Sequence, residues 1–359
     1  MSLKKLYLAV TSHGFGHAVR SASVAAAIQK LNPKLEIIFA TTAPKWLLGS
    51  YLTSDFIYHP RVFDVGVIQS DSLTMDKAAT LAKMQEIKAK ESKIIAQEAA
   101  FVREQNVGLV LGDIPPLVAK VASAAKIPCW MMSNFGWDFI YRPWGKDFTE
   151  IVQWIAECYS QCDRLFRLPL AEPMSAFSTI TDVGLTGGTP RYTQDELKAK
   201  YQIDTPKERT ILLTFGGLGL QAIPYANLAR FSQWLFITFD RHAPNLPNLL
   251  KVGGQDIRPV DFMPICRAVV SKPGYSTFAE ALRLDTPIIS LTRQGFAESP
   301  ILLEGLANHS YHQILSEAEF FESDWNFLKQ DLLPPQTNNK IDKNGTEAIA
   351  NEVVKFFEV

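Results

Sequence analysis

One pattern limits what this chain can fold into more than any other. A short apolar run leads into a glycine-rich turn and then a helix, and the same grammar occurs twice. It first spans "KLYLAVTSHGFGHAVRSASVAAAIQKL", from Lys5 to Leu31, and it restarts in "RTILLTFGGLGL", residues 209–220. Around each copy, apolar β-rich runs alternate with helical patterns. "LEIIFA" (35–40), "GLVLGD" (108–113) and "IPCWMM" (127–132) follow the first. "WLFITFD" (234–240), "RAVVSKPG" (267–274) and "TPIISLT" (286–292) follow the second. Strand, helix, strand in repetition predicts parallel sheets covered on both faces, an α/β class. A long helical stretch over 74–105, with Met84, Ile87, Ile94, Ile95 and Phe101 among many charges, separates the second and third runs.

The doubling fits the length, since 359 residues exceed one typical core. The expected organisation is an N-terminal Rossmann-like domain over 1–183, a linker over 184–207, a second Rossmann-like domain over 208–336 and a C-terminal helix over 337–359. The linker expectation rests on the glycines, prolines and charges of "DVGLTGGTPRYTQDELKAKYQIDTPKE". The last segment, "NGTEAIANEVVKFFEV", places Ile349, Val353 and Phe357 on one stripe and so predicts a docking helix.

Composition narrows the partners. Hydrophobic residues are 47% and charged residues 20%, with a formal net charge of -1. The isoelectric point is about 6.6 and mean hydropathy is 0.00. No basic excess points to nucleic acid or an anionic membrane. No apolar run reaches the roughly 20 residues of a transmembrane segment. The N-terminal "MSLKKLYLAVTSHG" reads as a first strand and not as a signal peptide. Cys129, Cys158, Cys162 and Cys266 have spacings that suit neither zinc nor a disulfide scaffold, so a reducing cytoplasm is the default.

The glycine-rich turns exclude familiar sites. "GFGHAV" has Val19 where a dinucleotide fingerprint needs its third glycine, and the second strand ends in "FATTA" without the ribose-binding acid. There is no GxxxxGK[ST], no HExxH and no DxD. The first turn instead offers His13 and His17 at the C-terminal end of strand one, the edge where open α/β sheets bind ligands. A histidine there can accept a hydroxyl proton near neutral pH. Asp113, ending a neighbouring strand in "LGDIPP", can fix its tautomer, or can cap the helix of "PPLVAKVASAA". Both histidines can equally be loop residues with structural hydrogen bonds.

In the second half, "SKPGYSTFAEALRLDTPIIS" sets Gly274, Tyr275, Ser276 and Thr277 at a helix N-terminus, an anion site suited to a diphosphate. Glu280, one to two turns in, can accept bonds from two ribose hydroxyls, or be a solvated helix residue with Ser276 as N-cap. Glu298, in a loop of "RQGFAESPILLEGL", can meet a sugar or ribose hydroxyl on the same edge. Gly216 and Gly217 of "TFGGLG" can let a phosphate or sugar approach the backbone.

Together these residues resemble the GT-B glycosyltransferases, in particular the UDP-sugar enzymes that include MurG and the plant small-molecule glycosyltransferases. "HGFGHAVR", "DVGVIQSDSLTMD", "NFGWDFIYRPW", "CYSQCDRLFRLPLAEPM", "FGG", "KPGYSTFAEAL" and "GFAESP" resemble the glycosyltransferase-like N-terminal region of plant L-arabinokinases. The kinase domain of those proteins has no counterpart here. The resemblance implies two domains facing across a cleft, the C-terminal helix returning to the N-terminal domain. It implies a nucleotide-sugar donor, a UDP-sugar, in the second domain. The acceptor, a small molecule, glycan or lipid, would sit in the first. His17 falls at the base position of inverting members and Asp113 at its carboxylate partner. Gly216, Gly217, Gly274, Tyr275, Ser276, Thr277, Glu280 and Glu298 fall on the donor side, although the loop of Glu298 lacks the glutamines of MurG. His13, Phe15, Asn134, Trp137 and Asp138 fall on the acceptor side, with Tyr141 of "SNFGWDFIY" beside them, or form a core aromatic cluster. The family needs no cofactor and holds no DxD metal. Two alternatives stay open: a nucleotide-sugar-binding module without turnover, and a nucleotide-sugar 2-epimerase, for which no set of cleft carboxylates can be placed.

Overall fold

The computed structural model describes residues 4–69, 74–216 and 223–358 of the chain. The chain forms two compact units. Among the described residues, the first comprises 4–69, 74–186 and 344–358, and the second 187–216 and 223–343.

The first unit holds seven strands: β1 (Lys5–Val10), β2 (Ile37–Ala40), β3 (Ile57–His59), β4 (Val107–Asp113), β5 (Cys129–Ser133), β6 (Arg164–Arg167) and β7 (Ile180–Asp182). All pair in parallel in the order β3-β2-β1-β4-β5-β6-β7. The second unit holds β8 (Thr210–Leu213), β9 (Leu235–Thr238), β10 (Leu249–Lys251), β11 (Ala268–Ser271), β12 (Ile288–Leu291) and β13 (His312–Leu315). These too are parallel, in the order β10-β9-β8-β11-β12-β13.

The central strands are buried on both faces, as crossover helices require: Leu6 through Val10 and Leu109 through Asp113 have almost no exposed surface. Each sheet order reverses once, between β1 and β4 and between β8 and β11. Chain segments diverge there at the C-terminal ends and leave the crevice in which such sheets bind ligands. The helix Gly16–Leu31 leaves β1 at the first crevice and the helix Tyr275–Arg283 leaves β11 at the second.

The alanines of "RSASVAAAIQKL" let Gly16–Leu31 lie close to its neighbours; Ala18, Ala22 and Ala25 are buried. The C-terminal helix Gly345–Glu358 packs against it within the first unit. Ile349 and Val353 are buried there, and Phe356 meets Trp130 edge-on at 5.3 Å. Gly345 lies so near the backbone of Gly184 that an added Cβ would fall 1.8 Å from its carbonyl oxygen.

Several elements differ from expectation. The stretch 74–105 is two helices, Lys77–Ala89 and Glu91–Glu104, broken at Lys90. Inside the expected linker, Gln194–Tyr201 forms a helix with a capping box between Thr193 and Glu196. The four cysteines are free and buried. No helix among the described residues is long and apolar enough to cross a membrane.

Candidate active site

In the first unit, β1 and β4 run side by side with Val10 beside Asp113, and the backbone N–H of Thr11 donates to the Asp113 carbonyl at 2.9 Å. This register brings the turn after β1 against the end of β4. His17 lies in the first turn of its helix, 7% exposed, and its Nδ1 stands 2.8 Å from Asp113 Oδ1. The expected pair is therefore formed. The helix-cap alternative for Asp113 is not realised. Pro116 occupies the N-cap of the helix Leu117–Ala125, with no side-chain cap.

The pair belongs to a larger buried network that the sequence reading missed. Arg20 Nε donates to Asp113 Oδ2 at 2.7 Å, and its Nη1 donates to the Asn134 carboxamide oxygen at 2.8 Å. Its Nη2 donates to Ser133 Oγ at 3.0 Å and to Asp113 Oδ1. The Ser21 hydroxyl donates to Asp113 Oδ2 at 2.8 Å. Arg20 Nη2 also lies 2.9 Å from His17 Nδ1. One ring nitrogen cannot both donate and accept there. Donation from Nδ1–H to the carboxylate is the charge-assisted bond, so the network assigns the Nδ1–H tautomer and leaves the Nε2 lone pair as acceptor.

The electrostatics follow. Burial pushes the His17 pKa down and the Arg20 charge adds to this, against the opposing pull of Asp113. His17 is thus neutral at physiological pH. Burial alone would raise Asp113, but Arg20 and His17 outweigh it and hold its carboxyl at about 2.

His13 completes the turn. Its Nδ1 accepts the backbone N–H of Val67 at 3.1 Å, and its ring meets Trp137 edge-on at 5.2 Å and His17 at 6.3 Å. Phe15 is half-buried and contacts the exposed Trp46 edge-on at 5.9 Å. The remaining residues expected on the acceptor side are enclosed in the structure. Asn134 is 1% exposed and engaged by Arg20. Trp137 has no exposed surface and packs among His13, Phe135 and Tyr141. Asp138 is buried and ion-paired with Arg142 at 3.0 Å, its carboxyl raised by burial. These three, with Tyr141, pack behind the histidines, as in the core aromatic cluster that was the alternative reading.

The residues expected on the donor side lie in the second unit. Gly216 follows β8 in the left-handed region, φ +78°, with the Lys272 stem nearby. Gly217 lies outside the described residues. Gly274 is the N-cap of Tyr275–Arg283 with no side-chain cap, so Ser276 is not the cap. Tyr275 and Ser276 are buried and Thr277 is half-buried in the first turn. Glu280 is not solvated: it is 3% exposed and its Oε1 accepts the backbone N–H of Gly188 at 3.0 Å. Gly187 passes so close that an added Cβ would stand 2.7 Å from Glu280 Cγ. Glu298 is buried and opens the helix Glu298–His309; it is not in a loop. Among the described residues no group of three His, Cys, Asp or Glu side chains could hold a metal ion.

Comparison with known proteins agrees with this geometry. No protein-family profile matches the sequence. The sequence is similar to L-arabinokinase of Arabidopsis thaliana, 28% identical over 341 residues, covering 91% of this chain. The chain spans about a third of the length of that curated relative, 31%. Among solved structures it is similar to UGT89C1 of Arabidopsis thaliana complexed with UDP-L-rhamnose, with TM-score 0.63, 14% identity and 100% of each chain covered. It is similar also to a UDP-glucosyltransferase from Polygonum tinctorium capable of glucosylating indoxyl, with TM-score 0.60, 13% identity and 100% of each chain covered. The glycosyltransferase SnogD from Streptomyces nogalater gives TM-score 0.54 at 14% identity, covering 99% of this chain and 95% of its own. The chain therefore has the GT-B fold, two Rossmann-like domains in one chain.

Proposed function

We propose that the chain is a glycosyltransferase that moves a sugar from a nucleotide-sugar, a UDP-sugar, to an acceptor hydroxyl with inversion. The observation that carries this reading is the buried His17–Asp113 pair at the reversal point of the first sheet, with Nε2 left as acceptor. UDP-L-rhamnose on a structure of the same fold supports the donor class.

In the reaction, His17 Nε2 takes the proton of the acceptor hydroxyl. The freed oxygen attacks the anomeric carbon in line, and the bond from that carbon to the diphosphate breaks. The bonding electrons depart with the nucleoside diphosphate, which is stabilised by backbone N–H groups at Gly274–Thr277 and by the helix dipole, without a metal ion or cofactor. Glu280 holds the ribose, Glu298 a sugar or ribose hydroxyl, and Gly216 and Gly217 the approach to the phosphates. Asp113 fixes the tautomer of His17, and Phe15 and His13 face the acceptor.

A second reading, a nucleotide-sugar-binding module without turnover, is favoured by one observation. Arg20 already neutralises Asp113, and its charge beside Nδ1 disfavours the imidazolium that a base must become. His17→Ala separates the two. A transferase keeps donor affinity and loses turnover of a nucleotide-sugar; equal release of nucleoside diphosphate by wild type and variant overturns the base assignment.

A further inference from the structure

The turn carrying both histidines is gripped by a second segment, residues 64–67, that the reaction scheme does not use. Asp64 has no exposed surface. Its Oδ2 accepts the Thr11 hydroxyl at 2.6 Å and its Oδ1 accepts the Ser12 backbone N–H at 3.1 Å. The Trp137 indole N–H faces the same carboxyl without reaching full hydrogen-bond geometry. No ion pair to it forms among the described residues, and the nearby Asp113 charge adds to the upward push of burial. Burying a carboxylate without a cation is unfavourable, so its two acceptor oxygens need a reason. Each serves a donor at the start of the histidine turn, and an amide would set its NH2 donor against one of them.

The same segment also seats His13. Gly66, at φ +55°, approaches so closely that an added Cβ would lie 2.2 Å from His13 Cβ. Its carbonyl accepts the Tyr141 hydroxyl. One residue on, the Val67 N–H donates to His13 Nδ1. Four contacts thus join residues 64–67 to residues 11–13.

We propose that Asp64 is a positioning residue for the histidine turn: through Thr11 and Ser12, and with Gly66 and Val67, it sets where the His13 and His17 rings stand. Its consequence for turnover rests on the glycosyltransferase reading, but its geometry can be tested without it. The test is nitrogen-15 NMR of the imidazoles at pH 8 in the full chain, comparing wild type, Asp64→Ala and Asp64→Asn. Wild type should show His13 as the Nε2–H tautomer and His17 as the Nδ1–H tautomer. In Asp64→Ala, His13 should move toward the mixture of a solvated ring, and Asp64→Asn should fall between. If Asp64→Ala does not fold, Thr11→Val, which removes one donor at nearly constant shape, should give the intermediate spectrum. Where nucleotide-sugar turnover is measurable, Asp64→Ala should lower kcat at least tenfold with donor affinity within about twofold, as misplacement of a reacting group does. Unchanged imidazole signals in the folded variants overturn the proposal. Absent wild-type turnover with the expected NMR shifts would instead count against the glycosyltransferase reading.

Discussion

The Arg20 guanidinium lies along the Asp113 carboxylate, Nε to Oδ2 at 2.7 Å, with both side chains fully enclosed between the helix Gly16–Leu31 and the end of β4. This contact decides the character of the site. It keeps Asp113 ionised in a dry environment, and the Arg20 charge adds to burial in keeping His17 neutral. It also makes the pair costly to break, because loss of one partner strands a buried charge. Arg20→Ala should therefore destabilise the first unit by roughly 3–5 kcal/mol in chemical denaturation, and Arg20→Lys, lacking the planar fork, should recover only part. A loss below about 1 kcal/mol would mean that the pair is hydrated in solution.

The lowered pKa of His17 sets a pH dependence. A base whose folded pKa lies below the ordinary 6.5 stays unprotonated through neutrality. The acid limb of kcat/KM for donor turnover should have its midpoint below 6.5, with a plateau through pH 7–8. A midpoint above 7 would contradict the dominance of burial and Arg20 over Asp113.

Stability should also respond to pH, with opposite signs at Asp113 and Asp64. Asp113, held at about 2 against an ordinary 3.8, contributes stability that is present above 3.8 and lost as pH falls toward 2. Asp64, pushed up to about 6 by burial, contributes in the other sense: its share is present below 3.8 and lost as pH rises through 6. Asp64→Asn removes that second dependence. Its stability relative to wild type should improve by about 1–3 kcal/mol between pH 4 and pH 8. Denaturation curves at the two pH values check this; a pH-independent difference would contradict the buried, cation-free environment of Asp64.

Gly66 tests the grip on His13. Alanine there must adopt φ +55° and displace His13, so Gly66→Ala should cost about 2 kcal/mol or more. A near-neutral result, read by the same denaturation assay, would mean that residues 64–67 do not press on the turn.

Glu280 bears on the donor side. Removing its carboxylate should weaken nucleotide diphosphate binding by roughly 1.5–3 kcal/mol, about ten- to a hundredfold. Because Glu280 also accepts the Gly188 N–H, Glu280→Gln is the cleaner comparison: its carbonyl can keep that bond while the charge is gone. An unchanged dissociation constant for UDP in both variants would contradict ribose binding.

The two-sheet architecture was legible because parallel strands buried on both faces are continuous apolar runs, as in "LYLAV" and "GLVLG". The strands that escaped notice are short or carry charges: β3 is three residues, and β6 begins and ends with arginine, where Arg167 pairs with Asp182. The meeting of His17 and Asp113 was legible because both stand at C-terminal strand ends. Arg20 was not, since an arginine three residues beyond His17 in an alanine-rich helix looks solvated until the neighbouring strand is placed against it. Asn134, Trp137 and Asp138 were expected to face a ligand because aromatic and polar residues together suit a sugar. The same composition builds a wall when an arginine network and a histidine pair lie in front of it. Asp64 carries no local signal, for its donors are more than 50 positions away.

The central claim is tested most directly by isothermal titration of nucleotide-sugars into wild type and His17→Ala, with magnesium and with chelator, paired with an assay of nucleoside diphosphate release. The account predicts that a UDP-sugar binds both proteins with the same affinity, independent of magnesium. Release by the variant should fall about 10²–10⁴-fold, the usual contribution of a general base. Binding of no nucleotide-sugar, or release undiminished in His17→Ala, would contradict it.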